Sequence, residues 1–329
     1  MSEKSPTIAI IGSGISGMIC ARTLTDRGYS VTVFEKEKTP GGRLAALRLN
    51  GIEFDHGCPY FYSQNKMLKE QVDDWIVKDA VRVWPARRVS FLQGDMHNVE
   101  DDQPLYVGIP DMDQIARHLG AGLDVRIDTI VSSVKRTQDR WQLMAGGKRE
   151  MFDIVVSAIP AEQTAELFKK VPSISEEAVK VRTQPVWSVT AGFDKTLNVD
   201  FDIAHFSSRP VILATNSRSK PGRSRDECWV LQASTEWSEE NVSTPPDEVA
   251  HNLLAVFFDE IGLQAIPAKH LHAHRWYYGT PQEPLYKDFL WDDRVTAGAC
   301  GDWCHNGRFE GAFISGLRMA QTIMEKYPQ

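Results

Sequence analysis

Glycines near the N-terminus recur at a spacing that suits phosphate binding. Gly12, Gly14 and Gly17 follow the apolar run Thr7–Ile11, and Glu35 ends a second apolar run further along the chain. In this pattern the first glycine permits a tight turn, the second lets a pyrophosphate approach the backbone, and the third lets a helix lie close to the strand. The N–H groups that begin this helix face the phosphates, and the carboxylate accepts hydrogen bonds from ribose hydroxyls. The spacing predicts a site for a dinucleotide without a 2′-phosphate; the alternative is a glycine-rich turn in an unrelated α/β unit.

A second pair of glycines follows Glu35 and bears on which dinucleotide is bound. The pair ends at Gly42 and precedes Arg43, so the backbone can approach a pyrophosphate again while the guanidinium supplies a bidentate counter-charge. A nicotinamide dehydrogenase would normally continue into another βαβ unit at this point. Near the C-terminus, Asp302 ends a strand-like run and precedes a helix rich in small residues, which contains Gly311.

These clusters, together with the segment Asp55–Phe61, resemble the FAD-dependent amine oxidase and phytoene desaturase superfamily, whose members carry the same motifs in the same order. The resemblance implies FAD, held without a covalent link because the family's attachment sequence is absent around Cys304. It also implies that Asp302 binds the ribityl chain, that the backbone near Val131 frames the adenine, and that the last helix points its N-terminus at the flavin. The predicted cofactor-binding residues are Gly12, Ser13, Gly14, Ile15, Ser16, Gly17, Glu35, Lys36, Gly42, Arg43, Gly57, Val131, Gly301, Asp302, Glu310, Gly311 and Ala312.

The length of 329 residues, 42% of them hydrophobic, allows two domains with substantial cores. The fingerprint and the resemblance predict an α/β fold with a Rossmann-like FAD-binding domain and an interwoven mixed-sheet substrate domain, in the topology of p-hydroxybenzoate hydroxylase and amine oxidases. We expect a discontinuous FAD-binding domain of residues 1–80, 110–165 and 285–329. The substrate domain is expected to comprise residues 81–109 and 166–284.

Composition narrows the class of protein further. The formal net charge of −7 disfavours nucleic-acid binding. No run of apolar residues is long enough for a membrane span, and the N-terminus lacks the features of a signal peptide, so we expect a soluble cytoplasmic protein. The 5 cysteines are scattered, which favours free structural thiols, and no His/Cys cluster has the spacing of a metal site. The oligomeric state stays open.

Basic residues between Arg218 and Arg225 stand out in this acidic chain. They favour a site for an anionic substrate such as a pyrophosphate; the alternative is a solvated loop. The segment His272–Tyr278 is rich in aromatic residues, and the corresponding region of the superfamily lies beside the flavin, although aromatic residues at alternate strand positions more often belong to a core. We predict Arg218, Arg223, Arg225, Tyr62 and Trp276 as substrate-binding residues. The predicted catalytic residues, which would place the reacting ring, are Tyr60, Trp187, Trp303, His305 and Asn306.

Within the superfamily, the compact length and the motif segments are similar to bacterial renalase-like proteins over nearly the whole chain. That resemblance implies a flavin oxidase of NADH isomers with the hydride at ring position 2 or 6, which returns NAD+ and passes the electrons to O2 as hydrogen peroxide. A dihydropyridine becomes aromatic when it loses a hydride, so it needs no base, and the motifs contain no equivalent of the lysine typical of amine oxidases. The alternatives are an amine or polyamine oxidase and a flavoprotein whose flavin is structural or sensory.

Overall fold

The computed structural model describes residues 5–49, 51–207 and 210–329. Its strands, in chain order, are β1 Thr7–Ile11, β2 Ser30–Phe34, β3 Leu47–Leu49, β4 Ile52–Phe54, β5 Val81–Trp84, β6 Arg88–Leu92, β7 Asp95–Asn98, β8 Leu105–Gly108, β9 Asp124–Arg126, β10 Val131–Thr137, β11 Arg140–Ala145, β12 Lys148–Phe152, β13 Ile154–Ser157, β14 Thr183–Phe193, β15 Ile203–Phe206, β16 Val211–Asn216, β17 Glu227–Ala233, β18 His270–Pro281, β19 Leu290–Asp292 and β20 Ala297–Ala299. Its α-helices are α1 Ile15–Thr25, α2 Lys66–Val77, α3 Gln114–Gly120, α4 Ala161–Leu167, α5 Pro172–Ala178, α6 Thr235–Glu240, α7 Pro246–Glu260 and α8 Arg308–Lys326.

The N-terminal strand lies inside a mostly parallel sheet, as the glycine fingerprint predicts. The strand order is β19-β20-β13-β1-β2-β9, and only the β19–β20 pair is antiparallel. Ile10 packs on one face of the sheet with residues of α1 and α8, whereas Ile11 packs on the other face with Trp141 and Phe168. The strand β1 is thus buried on both faces, as is typical of parallel sheets. The turn that follows it lies at the carboxyl edge of the sheet, where such sheets bind ligands.

A second sheet has the order β18-β14-β17-β16-β15-β6-β7 and is antiparallel except for the β15–β6 pair. Successive side chains of a strand point to opposite faces. On one face Trp187 and Leu231 pack in a core with Phe257 of α7. The neighbouring residues along the strands, such as Gln232 of β17, occupy the other face, and this face is the one available to line a cavity.

The connecting segments do not follow the predicted division into domains in every detail. Trp84 of β5 and Val107 of β8 pack in the core that α1 and α8 share with the parallel sheet. Phe168 and Ile174, from the segment after β13, pack against the opposite face of the same sheet. These segments therefore contact the predicted FAD-binding domain, although they lie within the ranges predicted for the substrate domain. The residue boundaries of the two domains stay a prediction.

The two sheets and the βαβ unit at the N-terminus confirm the predicted α/β class with a Rossmann-like domain and a mixed-sheet partner. The chain passes between the two parts several times. The strands β6 and β7 join the second sheet before β9 and β13 join the first, and β14–β18 join the second before β19 and β20 complete the first. In the part of the chain that the structure describes, no helix is both long and apolar enough to cross a membrane.

Candidate functional site

A cavity of about 2200 Å³ is lined by residues of both large sheets. The turn after β1 contributes to it at one end, and aromatic residues of β18 contribute at the other. Pockets for single small ligands usually enclose a few hundred to about 1000 Å³. The cavity is therefore large enough for an extended dinucleotide and a second molecule beside it.

The three glycines of the first turn have different roles, two in the packing of the fold and one in the phosphate site. Gly12 has φ +105°, and a Cβ at this position would lie 2.6 Å from the carbonyl oxygen of Ala158. A Cβ at Gly17 would lie 2.1 Å from the Gly12 carbonyl oxygen, so the fold itself requires both glycines. Gly14 lines the cavity, and among the described residues outside its own stretch of backbone no atom lies within 4 Å of the place of its Cβ. This open cradle before the N-terminus of α1 fits a phosphate group.

The Glu35 carboxylate is held beside this turn. Its Oε2 accepts hydrogen bonds from the Ser13 backbone N–H at 3.0 Å and the Ser13 hydroxyl at 2.5 Å. Its Oε1 accepts one from the Glu37 backbone N–H at 2.8 Å. Glu35 lines the cavity although it is largely buried. Because Oε1 can accept a further hydrogen bond, the group remains suited to a ribose hydroxyl.

Arg43 and Asp302 form a bidentate ion pair, with nitrogen–oxygen distances of 2.7 and 2.6 Å. Arg43 also donates to the carbonyl oxygen of Gly279 at 3.1 Å. Burial disfavours the charged guanidinium, but the neighbouring Asp302 carboxylate outweighs it and raises the pKa of Arg43. The sequence suggested separate contacts of these two side chains with the cofactor. The structure places both on the cavity wall and joins them to each other.

Most of the predicted cofactor residues line this one cavity, although their contacts with FAD stay predictions. Gly17 and Gly311 do not line it, because each packs against protein: a Cβ at Gly311 would lie 2.3 Å from the Asn306 Oδ1 atom. The residues that do line it are Gly12, Ser13, Gly14, Ile15, Ser16, Glu35, Lys36, Gly42, Arg43, Gly57, Val131, Gly301, Asp302, Glu310 and Ala312.

The other end of the cavity is rich in aromatic and imidazole rings. Of the predicted substrate and catalytic residues, Tyr60, Tyr62, Trp276, Trp303 and Asn306 line it. The Trp276 ring stacks on His56 with centroids 5.2 Å apart, and its Nε1 donates to the His56 carbonyl oxygen at 3.0 Å. Burial, followed by the nearby His274, lowers the pKa of His56 to about 4, so this imidazole is neutral at physiological pH.

The structure does not bring two of the predicted catalytic residues to the cavity. Trp187 is 1% exposed, belongs to the core beneath α7, and donates from Nε1 to the Asn241 carbonyl oxygen at 3.1 Å. Its neighbour Val186 lines the cavity instead, because alternate residues of β14 face opposite sides of the sheet. His305 does not line the cavity either, and its Nε2 lies 3.5 Å from Asp288.

The basic segment does not reach the large cavity either, since none of its three predicted arginines lines it. Arg218 and Arg225 line a separate polar pocket of about 200 Å³, and Arg218 lies 3.3 Å from Glu227. Arg223 is buried and pairs with Asp55 at 2.8 Å. A guanidinium in a closed core satisfies a buried carboxylate and is not available to a ligand.

Lys220, which the sequence-based interpretation did not single out, completes this buried cluster. Its Nζ donates to Asp55 at 2.9 Å and to the Pro59 carbonyl oxygen at 2.8 Å, and both charged side chains are 0% exposed. Burial favours the neutral acid, but the charges of Lys220 and Arg223 outweigh it and lower the pKa of Asp55 to about 2. Because Lys220 contacts both Asp55 and Pro59, which flank Gly57 in the chain, the cluster holds the segment that lines the cavity.

A second residue that sequence reasoning missed is Arg308, the first residue of α8, which lines the aromatic end of the cavity and donates a hydrogen bond to the Tyr62 hydroxyl. A cation in the first turn of a helix opposes the helix dipole, and this signal in the sequence could have drawn attention to it. Within the described ranges, no group of His, Cys, Asp or Glu side chains is arranged to hold a metal ion.

Comparison with protein families gives two matches along the chain. The model of the family described as "NAD(P)-binding Rossmann-like domain" matches residues 10–75. The model of the family described as "Flavin containing amine oxidoreductase" matches residues 90–324, which is well over half of the chain.

Solved structures match the whole fold. A putative protoporphyrinogen oxidase from Exiguobacterium sp. 255-15 matches with a TM-score of 0.80 at 13% identity, over 99% of this chain and 100% of that chain. Cyclohexylamine oxidase from Brevibacterium oxydans IH-35A matches with the same TM-score of 0.80, identity of 13% and coverage of 99% and 100%. At this level of identity the likeness establishes the fold alone.

Among curated proteins, the match is short. A 1-hydroxycarotenoid 3,4-desaturase from Flavobacterium sp. (strain P99-3) is 50% identical over 52 residues, which are 16% of this chain and 11% of that protein. The similarity therefore spans about a tenth of the relative's length and carries no conclusion about its substrate.

Proposed function

Because the chain belongs to the flavin containing amine oxidoreductase family and uses FAD as its cofactor, we propose that it oxidises isomers of reduced nicotinamide dinucleotides. The substrates are dihydro-NAD molecules with the hydride at ring position 2 or 6. In the overall reaction, the dihydro-NAD isomer, one proton and O2 yield NAD+ and hydrogen peroxide. When bound, FAD supplies the redox chemistry, namely uptake of a hydride and return of both electrons to dioxygen.

The observation that supports this substrate is the character of the cavity's aromatic end. Tyr60 and Trp276 offer rings on which a planar dihydropyridine can stack. His56 is neutral because its pKa is lowered to about 4, so it does not repel the pyridinium cation of the product. The amide of Asn306 lies on the same wall and can form hydrogen bonds to the carboxamide of the nicotinamide.

Carboxylates near this end are already engaged. Asp302 pairs with Arg43, and Glu310 accepts hydrogen bonds from two backbone N–H groups. Glu162 accepts hydrogen bonds from the backbone N–H and the hydroxyl of Thr183. A protonated amine needs an anion to balance its charge when it leaves water. Asp302 is neutralised by Arg43 and is therefore less suited than a free carboxylate to hold an ammonium group.

An amine or polyamine oxidase is the second candidate, and the family itself supports it. The aromatic rings that could stack on a dihydropyridine could also hold an ammonium group through cation–π contacts. Since Arg308 brings a positive charge to the same end of the cavity, we place the amine second.

Rapid mixing of the purified flavoprotein with candidate substrates tests the proposal. We expect position-2 and position-6 dihydro-NAD to reduce the flavin quickly and with saturation, whereas ordinary NADH and a panel of primary amines and polyamines reduce it slowly. Oxygenated assays should yield one hydrogen peroxide per NAD+. Fast reduction by an amine, without reduction by either isomer, would overturn the proposal in favour of the second candidate. Reduction by neither class would indicate a structural or sensory flavin.

A further inference from the structure

Arg308 occupies a position that its local structure does not favour. It begins α8 directly after Gly307 and has φ +62°, the left-handed conformation that costs a non-glycine residue about 1 kcal/mol or more. Its positive charge also lies at the helix end where the dipole favours anions. Neither the backbone nor the helix accounts for an arginine here.

The side chain of Arg308 reaches the aromatic end of the cavity and has few partners there. A guanidinium N–H donates to the Tyr62 hydroxyl, and the guanidinium carbon lies 5.7 Å from the centroid of the Tyr62 ring. Within residues 5–49, 51–207 and 210–329, no carboxylate lies at ion-pair distance from it. An arginine carries five N–H donors, so most of its hydrogen-bonding capacity remains for a ligand.

The other arginines near the cavity differ from Arg308 in this respect. Arg43 is paired with Asp302. Arg275 donates to the Val242 carbonyl oxygen and lies over the rings of Trp187 and Tyr277. Arg275 likewise lines the cavity without a carboxylate partner among the described residues, but a backbone carbonyl and two rings engage its guanidinium, whereas the contacts of Arg308 are with Tyr62.

We propose that Arg308 and the Tyr62 hydroxyl form the anchor for a phosphate group of the substrate. The inference rests on the proposed function, since a dinucleotide brings two phosphate charges into the cavity. Arg308 can present two parallel N–H groups to phosphate oxygens. Because the Tyr62 oxygen accepts a hydrogen bond from Arg308, its own proton is available to a third phosphate oxygen. This anchor takes the role that the sequence suggested for Arg218–Arg225.

Three dihydropyridines test the anchor in the holoenzyme, measured by rapid-mixing reduction of the flavin. They are the position-2 or position-6 isomers of the dihydronicotinamide dinucleotide, the mononucleotide and the riboside, which carry two phosphates, one and none. In Arg308→Gln we expect Kd for the two phosphorylated substrates to rise about tenfold to a hundredfold, because charge-assisted hydrogen bonds are lost. Kd for the riboside and the limiting rate of reduction should change less than about twofold, because the contact is equal in the ground and transition states.

Arg318→Gln serves as the matched control, because Arg318 lies on the same helix, does not line the cavity, and loses the same charge. We expect wild-type Kd values for all three substrates in this variant. Tyr62→Phe keeps the ring and should raise Kd for the phosphorylated substrates less than Arg308→Gln does. Equal changes for all three substrates in Arg308→Gln, or none, would overturn the anchor.

Inorganic pyrophosphate separates the anchor from the proposed function. Titrated into the oxidised holoenzyme and followed by calorimetry, it should bind the wild-type protein and bind Arg308→Gln at least tenfold more weakly. If no dihydropyridine reduces the flavin but pyrophosphate binding still depends on Arg308, the proposed function is wrong and the anion site stands. If pyrophosphate binds both proteins alike, or neither, the anion site is wrong whatever the substrate.

Discussion

Two charged clusters join distant segments of this chain, and they differ in whether they open on the cavity. Asp55 is enclosed by Lys220 and Arg223, and the three side chains are 0%, 0% and 1% exposed. Asp302 is also buried, but its partner Arg43 is 38% exposed and both line the cavity. The ion pairs of Asp55 are therefore enclosed in the protein and support the cavity wall. The ion pair of Asp302 with Arg43 forms part of the surface of that wall.

A concentration of charge along a sequence is therefore a poor guide to a ligand site. The basic segment supplies Lys220 and Arg223 to a closed core, where a buried carboxylate needs them. Arg308, which lies outside any basic run at the start of α8, instead faces the cavity. Exposure and partners decide the role of each cation.

The largest expected effect is on the closed cluster. Lys220→Met removes one partner of a fully buried carboxylate and should lower the free energy of unfolding by about 3–5 kcal/mol. Urea unfolding of the protein with and without FAD measures this loss. Asp55→Asn in the Lys220→Met background should restore part of it, because the unpaired charge is removed. A loss below about 1 kcal/mol would show that the cluster is not a structural support.

The open pair should respond differently. Arg43→Met leaves Asp302 without its partner on the cavity wall, and we expect the affinity for FAD to fall about tenfold to a hundredfold, as for a lost charge-assisted hydrogen bond. The stability of the apoprotein should fall less than in Lys220→Met, because the Arg43 side chain is partly exposed to solvent. Equilibrium dialysis of FAD measures the affinity. Unchanged FAD binding with a loss of apoprotein stability would make Arg43 a purely structural residue.

Acid should weaken the closed cluster. The folded pKa of Asp55 is lowered from 3.8 to about 2, so its contribution of about 2 kcal/mol is present above the unfolded pKa and is lost as the pH falls through the folded pKa. Between pH 6 and pH 3, we expect the advantage of wild type over Asp55→Asn to shrink by about 1 kcal/mol. Unfolding curves of both proteins at the two pH values measure the difference. A constant or growing difference would contradict the lowered pKa.

The smallest effect is expected at Arg225. This side chain is exposed and lies by the separate small pocket, although it belongs to the same basic segment as Lys220. Arg225→Gln should change the free energy of unfolding by less than about 0.5 kcal/mol and should leave Kd for the dinucleotide unchanged. A clear rise in Kd, measured by rapid mixing, would return the basic segment to the substrate site.

The features that could be predicted from the sequence are those that depend on neighbouring residues. The apolar run before Gly12, the glycine spacing and the carboxylate after the second strand need only neighbouring residues to specify a strand, a tight turn and a helix. The family motifs also located Asp302 and Glu310, and both line the cavity. The α/β class and FAD as cofactor therefore follow from the amino-acid sequence and its family motifs.

For side chains outside these motifs, the packing of distant segments determines which of them face the cavity. Trp187 and Val186 are adjacent in sequence, and the pairing of β14 in its sheet determines which of them is buried beneath α7, because a shift of one residue exchanges the two faces. Lys220 meets Asp55 across 165 positions of the chain, so no local pattern could show that the basic segment closes a core. The hydrogen-bond partner of Arg308 is Tyr62, which lies 246 positions away in the chain, so no local pattern could show this pair either. Local spacing specifies backbone turns, whereas the partners of a charge depend on how distant segments pack.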